Sequence, residues 1–349
     1  MSKLRLHSAH RPSALRRGTL AACATLSIAA TLLLPAANAN HQAAPSGVDV
    51  ANWQGNIDWR GVASAEQQFA FVKATEGLDY TNPQYSHDIT QARGAGLTVG
   101  SYHYARPNTD AVAQARHYAA AYKAHPQDLP PVLDIEQTDG VDVAGMQSWT
   151  RTFLSEVERQ TGRKPMVYTY RYFWEQDMGN TTEFAHYPLW FAAYQSQVPT
   201  ELPGGWKQMA FWQRTGEGHV TGINTSVDMN LFNGTRDQLP GLSGYGGVLA
   251  PGEKVAVDHG LGASARDIAL ALLSLAGAIG VMPPEVAGDI ANRAATTAGV
   301  DALVAGALGG QVAALGGKLP VAELDKLAKG NYTVGDLLLL LESARHRAG

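Results

Sequence analysis

Short runs of apolar and β-branched residues alternate with amphipathic stretches between Gly47 and about Gln238. Val48 to Ala51, Phe69 to Ala74 and Leu97 to Tyr104 read as strands, being rich in β-branched and aromatic residues. Pro131 to Ile135, Met166 to Thr169, Leu189 to Ala193, Gln208 to Gln213 and Ser226 to Leu231 complete the set. Gln84 to Ala95, Asp110 to Ala124 and Val143 to Gln160 carry a helical period; Asn108-Thr109-Asp110 supplies cap residues for the second, and Gly162 stops the third. Strand–helix alternation predicts an α/β fold with a mainly parallel sheet. About eight strands suggest a closed barrel, but helices are clear only in the first half, so a regular eightfold barrel is not expected. A doubly wound open sheet is the alternative, although no G-x-G-x-x-G follows the first strand to make a dinucleotide site.

The pattern changes near Leu239. All seven tryptophans precede it, and only Tyr245 and Tyr332 supply aromatics after it. Residues 239–263 read as a Gly-rich linker. Residues 264–349 are rich in Ala, Leu and Gly and predict a small all-α domain, with Ser264 capping a helix to about Ile279 and Thr333 capping another through Arg345.

At the other end, Arg11, Arg16 and Arg17 precede an apolar run from Gly18 to Leu34, and Ala37-Asn38-Ala39 has the small-residue form of a cleavage site. Residues 1–39 are therefore expected to be a secretory signal peptide, followed by a linker at 40–46, and the protein is expected outside the cell. Cys23 is the one cysteine, so the mature chain is expected to lack disulfides and thiol chemistry. A net charge of −4 argues against nucleic acid as a partner. The histidines show no ligand spacing, and neither a metal nor another cofactor is expected.

The candidate chemistry lies at Pro131-Val132-Leu133-Asp134-Ile135-Glu136. Carboxylates at i and i+2 of a strand share a face, with backbones about 6–7 Å apart. They stand at the C-terminal strand edge, where parallel α/β folds build their sites. Crowded carboxylates push one pKa upward, leaving a protonated acid beside an ionised partner, as glycoside cleavage requires. D-x-E alone is weak, and a solvated strand end accounts for it equally well. Two further acids sharpen the reading: Asp49 interrupts the apolar first strand and Asp228 the last. Aspartate is disfavoured in strands and costly to bury. Trp53, Tyr102, Tyr104, Tyr168, Tyr170, Trp190, Tyr194 and Trp212 lie at or near strand ends, where aromatic rings can stack on sugar faces. His103 between two of them reads as a core residue, and Lys73 with Glu76 as either a substrate contact or an ion pair.

These segments resemble the glycoside hydrolase family 25 lysozymes, the Chalaropsis-type muramidases. The similarity rests on G-V-D-V-A-N-W-Q-G at Gly47, F-V-K-A-T-E-G at Phe71, G-S-Y-H-Y-A-R-P at Gly100, P-V-L-D-I-E at Pro131, P-L-W-F-A-A-Y at Pro188, F-W-Q at Phe211 and V-D-M-N at Val227. It implies an irregular TIM-like β/α barrel over 47–238, with fewer helices than strands. It also implies cleavage of the β-1,4 bond between N-acetylmuramic acid and N-acetylglucosamine in peptidoglycan. By the same resemblance Glu136 is the general acid, Asp134 and Asp49 are its acidic partners, with Asp134 ionised, and Asp228 holds a water or the substrate acetamido group. The family is commonly described as retaining, with N-acetyl participation. Arg214 departs from the family, which usually has an aromatic there. A peptidoglycan-binding protein with weak catalysis is the alternative, disfavoured by the four retained acids; a chitinase-like glycosidase would want an aspartate where Val132 stands. The helical domain has few aromatics for sugar binding and is expected to contact a protein partner, itself or the cell envelope.

Overall fold

The structure, a computed structural model, describes residues 44–255, 265–276, 282–316 and 318–348. The expected signal peptide, Cys23, most of the 40–46 linker, Ser264 and Ile279 lie outside the described residues.

All eight expected strands form. They are β1 (Ser46–Val50), β2 (Phe69–Glu76), β4 (Thr98–Tyr104), β5 (Val132–Asp134), β6 (Met166–Tyr170), β7 (Leu189–Ala192), β8 (Phe211–Gly218) and β9 (Val227–Phe232); a two-residue strand, β3 (Tyr80–Thr81), is an addition. The sheet order is β1-β9-β8-β7-β6-β5-β4-β2-β3, and β1 also pairs with β2, which closes eight strands into a barrel and leaves β3 as a flap. Pairing is parallel from β1 through β2 and β4 to β8, but β9 runs antiparallel to both β8 and β1. An antiparallel neighbour needs no helical crossover. This explains the helix shortfall of the second half, and it rules out the open doubly wound sheet.

The expected helices are present as α2 (Tyr85–Gly94), α3 (Ala111–Ala124) and α4 (Val143–Thr161). Asp110 caps α3 by accepting from the Ala113 amide at 2.7 Å, and Gly162 ends α4 in the left-handed conformation. Two six-residue helices, α1 (Trp59–Ser64) and α5 (Arg171–Gln176), escaped the sequence reading. Fewer than two turns give too little periodicity to recognise.

Alternation along the strands decides what fills the barrel. Phe69, Phe71, Trp190 and Phe211 meet inside: Phe71 stacks on Trp190 at 4.4 Å, and Phe211 packs edge-on against Phe69 at 5.0 Å and Phe71 at 5.1 Å. Glycine makes room for these rings. A Cβ on Gly47 would stand 2.5 Å from both the Phe69 ring and the Phe69 carbonyl oxygen, and one on Gly100 would stand 2.8 Å from Phe71. On the outer face, His103 lies stacked at 4.9 Å on Phe153 of α4; its ring nitrogens are bonded to Thr75 at 2.8 Å and Gln114 at 2.9 Å. Burial pushes its pKa down to about 3, so it is a neutral core residue, as expected.

Residues 239–255 pack along the barrel. Leu239, Leu242 and Leu249 are buried, and the Asn233 side-chain carbonyl accepts from the Val248 and Leu249 amides at 3.1 and 2.9 Å. Five helices follow: α6 (Ala265–Ala276), α7 (Pro284–Thr297), α8 (Ala302–Ala314), α9 (Val321–Lys329) and α10 (Val334–Ala348). Their small-residue composition has a packing reason. Helices α7 and α8 approach so closely that a Cβ on Gly288 would lie 2.6 Å from the Gly309 carbonyl oxygen. Thr333 caps α10, its hydroxyl accepting from the Asp336 amide at 3.2 Å while the Asp336 carboxylate accepts from the Thr333 amide at 2.8 Å.

The surface these helices cover, among the described residues, is the barrel itself. Tyr332 packs at 5.1 Å on Tyr172 of α5 and donates to Glu175 at 3.1 Å, and the Tyr172 hydroxyl donates to the Glu323 carbonyl at 3.0 Å.

The interior has no slack at Gly47. Gly47→Ala is expected to destabilise the barrel by roughly 1–3 kcal/mol, the usual cost of overpacking. Urea unfolding of the two chains at equal m-value measures it.

Candidate active site

The C-terminal ends of the strands gather the acids. Side chains at i and i+2 face the same way, so Asp134 and Glu136 follow Val132 into the barrel mouth from β5. Asp49 of β1 and Asp228 of β9 stand directly opposite each other in the antiparallel register. All four carboxyls line one cavity of about 1180 Å³. Asp49 and Asp134 are 6 % exposed and Glu136 is 9 % exposed, so water screens them little.

Asp49 is held by two relays that the sequence did not announce. Trp190 donates its indole N–H to Asn230 Oδ1 at 2.8 Å. Indole is donor only, so the Asn230 amide must turn its NH₂ to Asp49, where it donates at 2.6 Å. Tyr168 donates to Gln213 Oε1 at 2.8 Å, and Gln213 Nε2 donates to both Asp49 oxygens at 3.1 and 3.2 Å. These bonds favour the charged carboxylate, but burial outweighs them and pushes Asp49 up to about 7. Asn230 and Gln213 carry no acid–base signal of their own. Their positions two residues from Asp228 and beside Trp212 were the available clue.

Asp134 and Asp228 also lie well above the ordinary carboxyl range. Burial is the main cause for both; Glu136 then acts on Asp134, and Asp49 and Glu342 act on Asp228. The Asp134 shift runs against its expected place as the ionised partner of Glu136: burial and Glu136 push this carboxyl toward protonation. Asp134 Oδ1 is buried with no hydrogen-bond partner.

A cationic platform faces the acids. Lys73 lies 2.5 Å from Glu76 and 4.5 Å above the Tyr104 ring, and Arg106 Nη2 donates to Glu76 at 2.6 Å. Lys73 and Glu76 are therefore an ion pair, and both line the cavity. Lys73 pulls the Asp134 pKa down, though less than burial and Glu136 raise it.

Of the aromatic candidates, Trp53, Tyr102, Tyr104, Tyr168, Trp190 and Tyr194 line the cavity. Trp53 is 64 % exposed at its rim, while Trp190 sits at its floor. Trp212 does not belong with them. It is fully buried on the opposite face of β8 from Gln213, and its indole donates to the Ala193 carbonyl at 2.8 Å. Parity along the strand separates the two: the residue that faces the site is Gln213, not its neighbour.

The chain and its fold match known proteins. The family described as Glycosyl hydrolases family 25 matches residues 48–223. The chain belongs to that family. Lysozyme M1 of Streptomyces globisporus is 36 % identical over 208 residues, covering 56 % of this chain and 70 % of that protein. The N,O-diacetylmuramidase of a Chalaropsis species is 33 % identical over 56 % of this chain and 98 % of its own length. The crystal structure of the bacterial lysozyme from Streptomyces coelicolor superposes with a TM-score of 0.55 at 35 % identity, covering 58 % of this chain and 97 % of that one. The protein is thus a family 25 glycoside hydrolase of the lysozyme type, with a helical region beyond the part these relatives share.

Two features distinguish this site from the resemblance that predicted it. Arg214 lines the cavity, with Nε and Nη1 buried and unpartnered, and burial lowers its pKa. The second is a wall of helices: Leu303, Val304 and Gln311 of α8 and Leu338, Leu339 and Glu342 of α10 complete the cavity lining.

The hydrogen bonds to Asp49 oppose its upward shift, so removing one must enlarge it. Asn230→Leu is expected to move the ionisation of Asp49 above pH 7, read by ¹³C titration of the aspartate carboxyls. An unmoved titration would show that the relay does not govern Asp49.

Proposed function

We propose that this family 25 hydrolase is a secreted N-acetylmuramidase that cuts the β-1,4 bond between N-acetylmuramic acid and N-acetylglucosamine, with Glu136 as general acid. The convergence of Asp49, Asp134, Glu136 and Asp228 on one barrel mouth carries this reading. Residues 1–39 act as the signal for export, residues 47–238 as the catalytic unit and residues 239–263 as the link to the helical region. No helix among the described residues is long and apolar enough to cross a membrane.

Glu136 must be protonated when the bond breaks, and a charge must develop nearby to steady the oxocarbenium-like sugar. Burial and the neighbouring Glu136 push Asp134 toward its protonated form, and substrate binding has to place the proton on Glu136. The unpartnered Asp134 Oδ1 then faces the reacting sugar, with Lys73 favouring its charged form. Asp49, poised at about 7 between its two amide donors, and Asp228 across the β1–β9 pair orient the acetamido group or a water. Tyr102, Tyr104, Tyr168, Trp190 and Tyr194 line the sugar path, with Trp53 at the rim.

Glu136→Gln keeps the shape and removes the transferable proton. It is expected to lower reducing-end release from purified peptidoglycan by roughly 10²–10⁴-fold, with an unchanged thermal midpoint. Mass spectrometry of the wild-type digest is expected to show muramic acid at the new reducing ends. N-acetylglucosamine there would overturn the muramidase assignment.

A further inference from the structure

Helix α10 lies across the catalytic mouth. Ser343 Oγ donates to the Glu136 carbonyl at 2.8 Å, at the end of β5. The Tyr194 hydroxyl, just past β7, stands 3.0 Å from Glu342 and 3.3 Å from Asp228 of β9. Gly335 packs so tightly on the Tyr194 backbone that a Cβ there would run into the Tyr194 carbonyl oxygen. In sheet order β6 and β8 lie between these anchor points, so α10 spans the β5-to-β9 half of the mouth. The cavity runs from Asn52, Trp53, Tyr80 and Arg106 at its open edge to Arg214 and Glu217 beside the helix. The solved Streptomyces coelicolor lysozyme is matched over 97 % of its length by 58 % of this chain. Helix α10 lies outside residues 48–223, the part that the family model matches.

We propose that α10 is a specificity-determining element: seated over half of the mouth with Glu342 beside Asp228, it admits a glycan end or a short fragment to Glu136 and excludes the interior of an intact strand. This rests on the glycosidase reading above. A bond inside a strand has sugars on both sides of the acid. Those on the β6–β8 side would have to share space with a helix about 10 Å across. Attack on the interior of a strand therefore requires α10 to leave.

The seat is also sensitive to pH. Glu342 faces Tyr194 from the end of β7, Glu217 from β8, Asp228 from β9 and Asp49 from β1, with Arg345 on its own helix. Burial raises Glu342 most and Glu217 adds to it, while Arg345 and the Tyr194 bond oppose the rise; Glu342 in turn raises Asp49 and Asp228. Carboxyls whose pKa rises on seating take up protons as α10 seats. Seating is therefore favoured at low pH and weakens as pH rises through their raised values.

The test compares reducing-end release from intact sacculi and from a soluble muramyl tetrasaccharide, using the full chain. Gly335→Val replaces no cavity-lining side chain and pushes α10 off the Tyr194 backbone. It is expected to raise the rate on sacculi several-fold with little change on the tetrasaccharide. Rates that keep their ratio, or fall together, overturn the proposal. Should this variant not fold, the wild type and Glu342→Gln decide. The sacculus-to-tetrasaccharide ratio is expected to rise with pH in the wild type and to flatten in the variant, and a ratio equally flat in both overturns it. A wild type that cuts the tetrasaccharide but fails these comparisons loses only this proposal. One that cuts neither substrate loses the glycosidase reading and this proposal together.

Discussion

Four carboxyl groups share one barrel mouth, and the rest of the site is arranged around the cost of putting them there. Like charges this close, with little water to screen them, cannot all be ionised near neutrality. The barrel answers with protons and with dipoles. Asp134 and Asp228 are pushed toward their neutral forms, while Asp49 is brought back to about 7 by three amide hydrogen bonds. Those amides are themselves oriented by Trp190 and Tyr168, two rings of the cavity wall. The same rings thus line the cavity and orient the amides that hold Asp49.

The antiparallel strand β9 is what makes this crowding possible. In a regular parallel barrel each strand contributes its own C-terminal end to one face. Here β9 runs the other way and brings Asp228 to the mouth near its start, opposite Asp49. The same reversal lets β9 follow β8 without a crossover helix. That side of the mouth is the one α8 and α10 occupy.

Much of the barrel was legible because strand signals are local. β-branched and aromatic runs marked all eight barrel strands, and the cap residues Asp110 and Gly162 marked helix ends. The acids were legible because an aspartate within an apolar strand is costly without a purpose. Short elements such as α1 and α5 were not, since six residues give no usable period. Trp212 was misplaced because its type suggested sugar stacking, whereas strand parity sends Gln213 to the site and Trp212 to the outer face.

By itself the chain's sequence determined which residues carry charge in apolar strands, and so which carboxyls the site would use. Tertiary structure decided how those carboxyls differ. Proton affinity depends on burial and on neighbours more than a hundred positions away, such as Asn230 for Asp49 and Glu342 for Asp228. It also decided the place of the helical region. An Ala- and Leu-rich segment announces helices, but the surface that they cover depends on a few contacts: Tyr332 on Tyr172, Gly335 on Tyr194 and Ser343 on Glu136. Each joins residues more than a hundred positions apart, beyond the reach of any local pattern.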